Sequence, residues 1–117
     1  MMDAKIELNY ENPMLSEKSV GEISTETLND FYEETQNSYR QYELVFVLLN
    51  SLHHYLDERK TEVAAKISFL VAYYLFIALT PIAHLDLALH YIDKAIELDS
   101  KAEYIKLKDA IEDDLRG

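Results

Sequence analysis

Histidine, acidic and cysteine side chains could bind a metal, but their spacing here does not fit a metal site. His53 and His54 are adjacent, so on a helix they point about 100° apart and cannot easily face one ion. His84 and His90 belong to no His-x-x-x-His or Glu-x-x-His pair, and the 117 residues contain no cysteine. The zinc and di-iron templates are therefore absent, and we expect neither a metal nor another cofactor.

Motifs for nucleophilic or phosphate chemistry are missing from the sequence as well. With two glycines the chain cannot form a glycine-rich phosphate loop, and no nucleophile elbow is present. Ala83-His84-Leu85 resembles the phosphate-accepting segment of phosphotransfer four-helix bundles. However, Asp86 and Leu87 follow where that family has lysine and glycine, and the acid would repel phosphate. We therefore predict that the protein is not an enzyme.

The charge of the chain is strongly acidic, with a formal net charge of −11 at pH 7. Residues 1–34 hold nine acids and two lysines, so most of this charge lies near the amino terminus. Binding to a phosphate backbone is disfavoured, whereas basic partners are favoured during encounter. A high net charge also keeps a protein soluble, and this alternative explains the acidity without a basic partner.

The scarcity of glycine and proline, two residues each, points to an all-α fold, because loop-rich and all-β proteins need them in turns. The apolar pattern predicts a first helix from Ser24 or Thr25, either continuous to Leu56 or broken near Asn37–Ser38. The later helices are predicted over about 61–80, 85–98 and 100–115. Ser100 is expected to cap the last one in a capping-box spacing with Glu103.

Residues 1–23 differ in composition from the rest of the chain. They contain Pro13 and Gly21, and few of their apolar residues recur with a helical period. Such segments are typically disordered, although the alternation Ile6–Leu8–Tyr10 is compatible with a strand or a docking peptide. We predict an acidic amino-terminal segment over residues 1–23 and a helical domain over residues 24–117. No signal peptide is evident, so a cytoplasmic location is expected.

The segment from Ala88 to Ser100 resembles the second helix of a tetratricopeptide repeat. Ala88, Ile92 and Ala95 stand where that family has an alanine, a large residue and a second alanine. Small side chains at this spacing let two helix backbones approach closely. Leu98-Asp99-Ser100 follows the family's closing Leu-Asp-Pro, with serine in place of proline.

The flanking helices follow the repeat pattern less closely. Leu75 matches it, whereas Phe76 stands where the family has glycine or alanine and Leu79 where tyrosine is usual. After Ser100, large residues follow one side of the next helix and charged residues follow the other side. This pattern fits the solvated capping helix at the end of a repeat array. The resemblance covers residues 69–115 and implies a right-handed, tetratricopeptide-like array of antiparallel helical hairpins, with about four or five helices.

The repeat resemblance also implies a binding face, because family members bind peptides on the first helix of each repeat. On this chain the corresponding residues are Leu70, Tyr73, Ile77 and Thr80. The leading hypothesis is therefore an adaptor or chaperone-like module that binds a peptide or a partner helix. The alternative is an acidic immunity or inhibitor protein that neutralises a basic toxin or a nucleic-acid-directed enzyme.

Two further possibilities concern the apolar helices. The long helix rich in valine and leucine could pair with a second copy, which makes a homodimer a third hypothesis. Residues 67–83 carry no charge, but the stretch is shorter than the roughly 20 apolar residues of a membrane span and contains tyrosine, threonine and proline. We therefore predict a buried central helix and no membrane association.

Overall fold

The computed structural model describes residues 13–35 and 37–117. Within them it contains no strand, which confirms the all-α prediction. The helices are α1 (Glu17–Glu22), α2 (Thr25–Glu34), α3 (Ser38–Asp57), α4 (Thr61–Tyr73), α5 (His84–Leu98) and α6 (Ala102–Arg116), and a π-helical turn (Tyr74–Ala78) extends α4.

Helix α1 precedes the helix that the sequence led us to expect first. The Ser16 side chain caps it by accepting a hydrogen bond from the Ser19 backbone N–H. Leu15, Val20 and Ile23 are buried, so residues 13–23 contribute to the core. A six-residue helix is too short to show a period in the sequence, which is why it was missed. Residues 1–12, including the Ile6–Leu8–Tyr10 alternation, lie outside the described residues.

Of the two residues predicted to cap the first long helix, Ser24 is the cap, and of the two alternatives for the long apolar stretch the break near Asn37–Ser38 is confirmed. Ser24 caps α2 and forms a reciprocal capping box with Thr27. The long apolar stretch breaks before Ser38, because the Asn37 side chain accepts hydrogen bonds from the backbone N–H groups of Tyr39 and Arg40. Two of the four free N–H groups at the start of α3 are satisfied in this way.

Three side chains of α3 hold the extended residues that precede α1. Asn50 Nδ2 donates to the Pro13 carbonyl oxygen at 2.8 Å, and the Tyr55 hydroxyl donates to the Leu15 carbonyl oxygen at 2.7 Å. The Ser51 hydroxyl accepts from the Leu15 N–H at 2.9 Å. The backbone of this segment is therefore hydrogen-bonded although it belongs to no regular element.

Helix α4 lies at the centre of the fold and packs against α1, α3 and α5. Over Thr61–Ala78 it is long and apolar enough to span a membrane, with a mean hydropathy of 1.5. However, 56% of this stretch is buried inside the protein, which is typical of a core helix. The apolar run is therefore covered by several neighbouring helices, α1, α3 and α5 among them.

The π-helical turn ends the central helix two residues earlier than the predicted end at Thr80. The Leu79 N–H donates to the Tyr74 carbonyl oxygen at 2.9 Å, five residues back. The connection to α5 then contains Pro81 and reaches Ala83, whose φ of 60° and ψ of 29° are left-handed. Alanine therefore occupies a backbone conformation that favours glycine.

Helix α5 buries one side, which carries two alanines and an isoleucine, in the core of the protein. Ala88, Ile92 and Ala95 have no exposed surface, and α5 packs against α4 more extensively than any other pair of elements. Helix α6 packs on α5 in turn. The three residues are therefore buried together on one side of α5, as their spacing predicted.

The predicted cap of α6 is wrong. Lys101 is the capping residue and makes no side-chain capping bond, while Ser100 lies one residue outside. Tyr104 is buried and its ring stacks on Phe69 with 4.9 Å between centroids. Burial of this ring accompanies a helix start one residue later than predicted, and its apolar contact offsets the absence of a side-chain cap.

The left-handed residue before α5 yields a first prediction. Replacing Ala83 with glycine should raise the free energy of unfolding by about 0.5–1 kcal/mol, because glycine removes the clash of Cβ at positive φ. Ala110, exposed in the interior of α6, is the matched control, and its replacement with glycine should destabilise by about 1 kcal/mol. Urea unfolding of the two variants measures both values, and two changes of the same sign would contradict the prediction.

Candidate functional site

The four residues predicted to contact a partner do not form one surface. Leu70 has no exposed surface, because it packs in the core. Tyr73 is half-buried, and only Ile77 and Thr80 are exposed. Helix α2 packs against the end of α4 and the π-helical turn, and so covers part of this face. The structure therefore offers Tyr73, Ile77 and Thr80 to a partner but not Leu70.

Tyr73 lines a groove between the beginning of α2, the carboxy-terminal end of α4 and the beginning of α6. Its volume is about 360 Å³. The residues that line it are Thr25, Phe69, Tyr73, Ala102, Glu103, Lys106 and Leu107. We refer to it as the α4–α6 groove. Sequence reasoning identified only Tyr73 here, because most of the other lining residues belong to α2 and α6 and lie at least 29 residues from Tyr73 in the chain.

The floor of the α4–α6 groove is held rigidly by neighbouring side chains. The Tyr73 hydroxyl lies 2.9 Å from Asn29 Nδ2 and 3.2 Å from Asn29 Oδ1, on α2. Phe69 stacks on the buried ring of Tyr104. Both aromatic side chains are therefore fixed before any partner binds, which lowers the entropy cost of binding.

The rim of the groove carries charge of both signs. Glu103 and Lys106 are exposed and lie three residues apart on α6, so they share a face. On α4, burial lowers the pKa of Lys66, and the nearby Glu103 carboxylate partly offsets this shift. The Lys66 ammonium also lies 3.5 Å from the Gly21 carbonyl oxygen, which links α4 to α1. The groove thus has an apolar floor and a polar rim, the usual layout of a binding surface.

Chemical groups for catalysis do not converge at this groove. Across residues 13–35 and 37–117, no three His, Cys, Asp or Glu side chains lie close enough to share a metal ion. The groove lining itself contains one carboxylate and one ammonium group on an exposed rim. An arrangement of this kind can accept an apolar side chain and orient it through polar contacts.

A second surface feature is the acidic face of α2, which we define as Glu26, Asp30 and Glu34. Their spacing of four residues places the three carboxylates along one side of the helix. Glu26 and Glu34 are exposed, and Asp30 is partly so. The opposite side of α2 buries Leu28. The helix therefore presents a line of negative charge to solvent.

Comparison with known proteins identifies no relative: no family model, no curated protein and no solved structure matches this chain. The resemblance to a tetratricopeptide repeat therefore rests on residues 69–115 alone. It remains a prediction, as does the arrangement of the helices in antiparallel hairpins.

Proposed function

We propose that this protein is a non-catalytic protein–protein interaction module, adaptor or chaperone-like, that binds a peptide or a partner helix in the α4–α6 groove. The supporting observation is a groove with an aromatic floor and a mixed-charge rim between helices. Helices are rigid supports, and grooves between them commonly receive the apolar anchors of a partner segment. The proposal places the protein in the cytoplasm, with no direct contact to nucleic acid or membrane.

The size of the groove limits what it can receive. A volume of about 360 Å³ lies at the lower end of the range for small-molecule sites. It accommodates one or two large apolar side chains rather than a whole helix face. Binding energy in such interfaces is concentrated in a few anchors that fill a pocket. We therefore expect one aromatic or aliphatic side chain of the partner to fill the space above Phe69 and Tyr73.

A groove-filling variant tests this proposal. Ala102 lines the groove and is exposed, so tryptophan at this position should block the groove without altering the core. Ala110 lies on the same helix, is also exposed and does not line the groove, so Ala110→Trp is the matched control. Affinity capture from the native cell, followed by mass spectrometry, should return one stoichiometric partner with the wild type and with Ala110→Trp, and none with Ala102→Trp.

Two results would overturn the proposal of a groove-binding module. One is the absence of a stoichiometric partner with the wild-type protein at native abundance. The other is equal capture by the Ala102→Trp and Ala110→Trp variants, which would show that the partner binds elsewhere. Circular dichroism of both variants controls for their folding.

The acidic face of α2 supports a second candidate function, an inhibitor or immunity protein that covers a basic toxin or a nucleic-acid-directed enzyme. Three carboxylates on one exposed side of a helix would steer a basic partner toward that side. A partner that binds in this way needs no pocket, and its association rate falls as salt is added. This function differs from the first in the surface used and in the charge of the partner.

A charge-neutralising triple variant separates the two functions. Glu26→Gln, Asp30→Asn and Glu34→Gln together should slow association with a basic captured partner by about tenfold or more at low salt and flatten its salt dependence. Asp109→Asn, Glu112→Gln and Asp114→Asn remove the same number of charges from α6 and serve as the control. An association rate that is unchanged in the first variant, or equally reduced in both, would exclude the inhibitor hypothesis.

A further inference from the structure

Three aromatic side chains lie exposed along one side of α3. Tyr39, Tyr42 and Phe46 follow one another at steps of three and four residues, and their exposed fractions are 72%, 42% and 66%. The buried residues of α3 lie on its opposite side, which packs against α4. We call the three exposed residues the aromatic face of α3. A row of exposed aromatic side chains is a typical binding surface.

The residues before α1 lead from the buried side of α3 toward this face. Leu15 is hydrogen-bonded to Ser51 and Tyr55, two buried residues of α3. Two residues earlier in the chain, the Pro13 carbonyl oxygen accepts a hydrogen bond from the side chain of Asn50, which is exposed. Asn50 lies one helical turn after Phe46 on the same side of α3. Followed backward, the chain therefore moves toward the exposed side and toward the amino end of the helix.

We propose that residues 1–12 of this chain bind the aromatic face of α3, with Leu8 and Tyr10 as the side chains that contact it. The interface continues the contacts that α3 already makes with residues 13–15. It removes from water an apolar surface that is otherwise exposed. This site is separate from the α4–α6 groove and does not depend on the function proposed for that groove.

The segment is long enough to cover the face. Tyr39 and Asn50 are eleven residues apart on α3, a distance of about 16 Å along the helix axis. An extended chain covers this distance with about five residues, so residues 8–12 suffice. Counted back from Pro13 at about 3.3 Å per residue, Tyr10 reaches the level of Tyr42 and Leu8 reaches the level of Tyr39.

The alternation of side chains in the segment fits a one-sided contact. In an extended chain Leu8 and Tyr10 lie on the same side, about 6.6 Å apart, close to the rise of about 6 Å over four helix residues. Glu7, Asn9 and Glu11 alternate with them and would remain in water. The aromatic face carries no charge, so this arrangement buries apolar groups on both sides and leaves the carboxylates solvated.

Covalent attachment favours this occupant over a free partner. No linker separates residues 1–12 from Pro13, which lies beside the face. A short flexible connection gives an effective concentration in the millimolar range. A free protein that makes the same contacts would have to reach a comparable concentration in order to compete.

Tryptophan fluorescence in the full-length chain tests the proposal. The sequence contains no tryptophan, so Phe46→Trp introduces a single reporter on the face. Leu8→Ser and Tyr10→Ser together should weaken docking by about tenfold or more, because burial of one such side chain corresponds to about a factor of ten. Acrylamide quenching of the reporter should therefore increase. Glu7→Ser and Asn9→Ser together are the matched control and should leave the quenching unchanged.

Two further reporters keep the test decisive. Ile82→Trp provides the reference for an exposed tryptophan, because Ile82 is 94% exposed and lies outside α3, and its quenching should not respond to either pair of serine substitutions. Tyr42→Trp repeats the measurement at a second position of the face, and circular dichroism verifies that each variant is folded.

Three results would overturn the proposal. One is quenching at both Phe46→Trp and Tyr42→Trp that is the same in all three backgrounds. Another is an equal increase with the Leu8 and Tyr10 pair and with the control pair. The third is protection that grows with protein concentration, which would show that a second copy covers the face.

Discussion

Replacing Ile92 with alanine is expected to lower the free energy of unfolding by about 2–5 kcal/mol, a large share of the stability of a small domain. Ile92 has no exposed surface, and it lies between Ala88 and Ala95 on the side of α5 that faces the core. The flanking side chains are too small to fill the space that its removal leaves. The cost therefore includes a cavity as well as lost apolar burial. Urea or thermal unfolding followed by circular dichroism measures it.

The control for this prediction is Leu87→Ala on the same helix. Leu87 is 41% exposed, so its truncation should cost about 1 kcal/mol or less. A comparable loss in both variants would mean that α5 does not bury the face that carries Ala88, Ile92 and Ala95.

The second large effect is expected at alkaline pH, because buried tyrosine hydroxyls resist ionisation. Burial raises the pKa of Tyr104 to about 12, and the acids Asp99 and Glu103 add to this effect. Burial also raises the pKa of Tyr74, with a smaller contribution from Tyr32. For Tyr55 the pKa is raised by burial first and then by Glu17, while Lys60 lowers it.

These raised pKa values predict a loss of stability on the alkaline side only. Below the ordinary tyrosine pKa of about 10, the hydroxyls are neutral in both the folded and the unfolded chain, and stability does not depend on them. Above it the unfolded chain ionises first, so stability falls as pH rises toward the folded-state values. One unit of difference corresponds to about 1.4 kcal/mol per group, so three groups together should unfold the protein near pH 11–12.

Phenolate absorbance and far-ultraviolet circular dichroism, recorded together from pH 8 to 13, measure this effect. A group of tyrosines that ionises above the ordinary tyrosine pKa, together with loss of helix, is the expected result. Ionisation of all nine tyrosines in one step near pH 10 without loss of helix would contradict the prediction.

Tyr74→Phe is the informative companion variant. The Tyr74 hydroxyl is buried, and among the described residues it has no hydrogen-bond partner. Its removal should therefore leave the stability at pH 7 unchanged or raise it by about 1–3 kcal/mol, and it should shift alkaline unfolding to higher pH. The Tyr104→Phe variant should shift alkaline unfolding in the same direction.

Local features of the fold were predictable from the sequence. Few glycines and prolines and a helical apolar period were sufficient to identify an all-α protein. The cap at Ser24 and the break near Asn37–Ser38 were each among two alternatives that the sequence offered, because capping depends on side chains within three residues of the helix start. The burial of Ala88, Ile92 and Ala95 was predictable for a similar reason, since their spacing defines one face of a single helix.

Features that depend on neighbours were not predictable. Helix α1 is anchored by the burial of Val20 and by its contacts with α4, and α3 holds the residues that precede it. Its six residues carry too little periodicity to reveal it. Ser100 had the composition of a cap, yet stacking of Tyr104 on Phe69 accompanies a helix start one residue later. In both cases a contact between distant parts of the chain outweighs a local preference.

The sequence by itself determined the approximate course of the longer helices and which side of each is apolar, because both follow from interactions within a few residues. Only the tertiary structure decided which helix covers each apolar side. It buried Leu70, left Tyr73 at the floor of the α4–α6 groove, and left Tyr39, Tyr42 and Phe46 exposed. The physical reason is that an apolar side chain gains by leaving water whichever neighbour covers it, so hydrophobicity alone does not specify the neighbour.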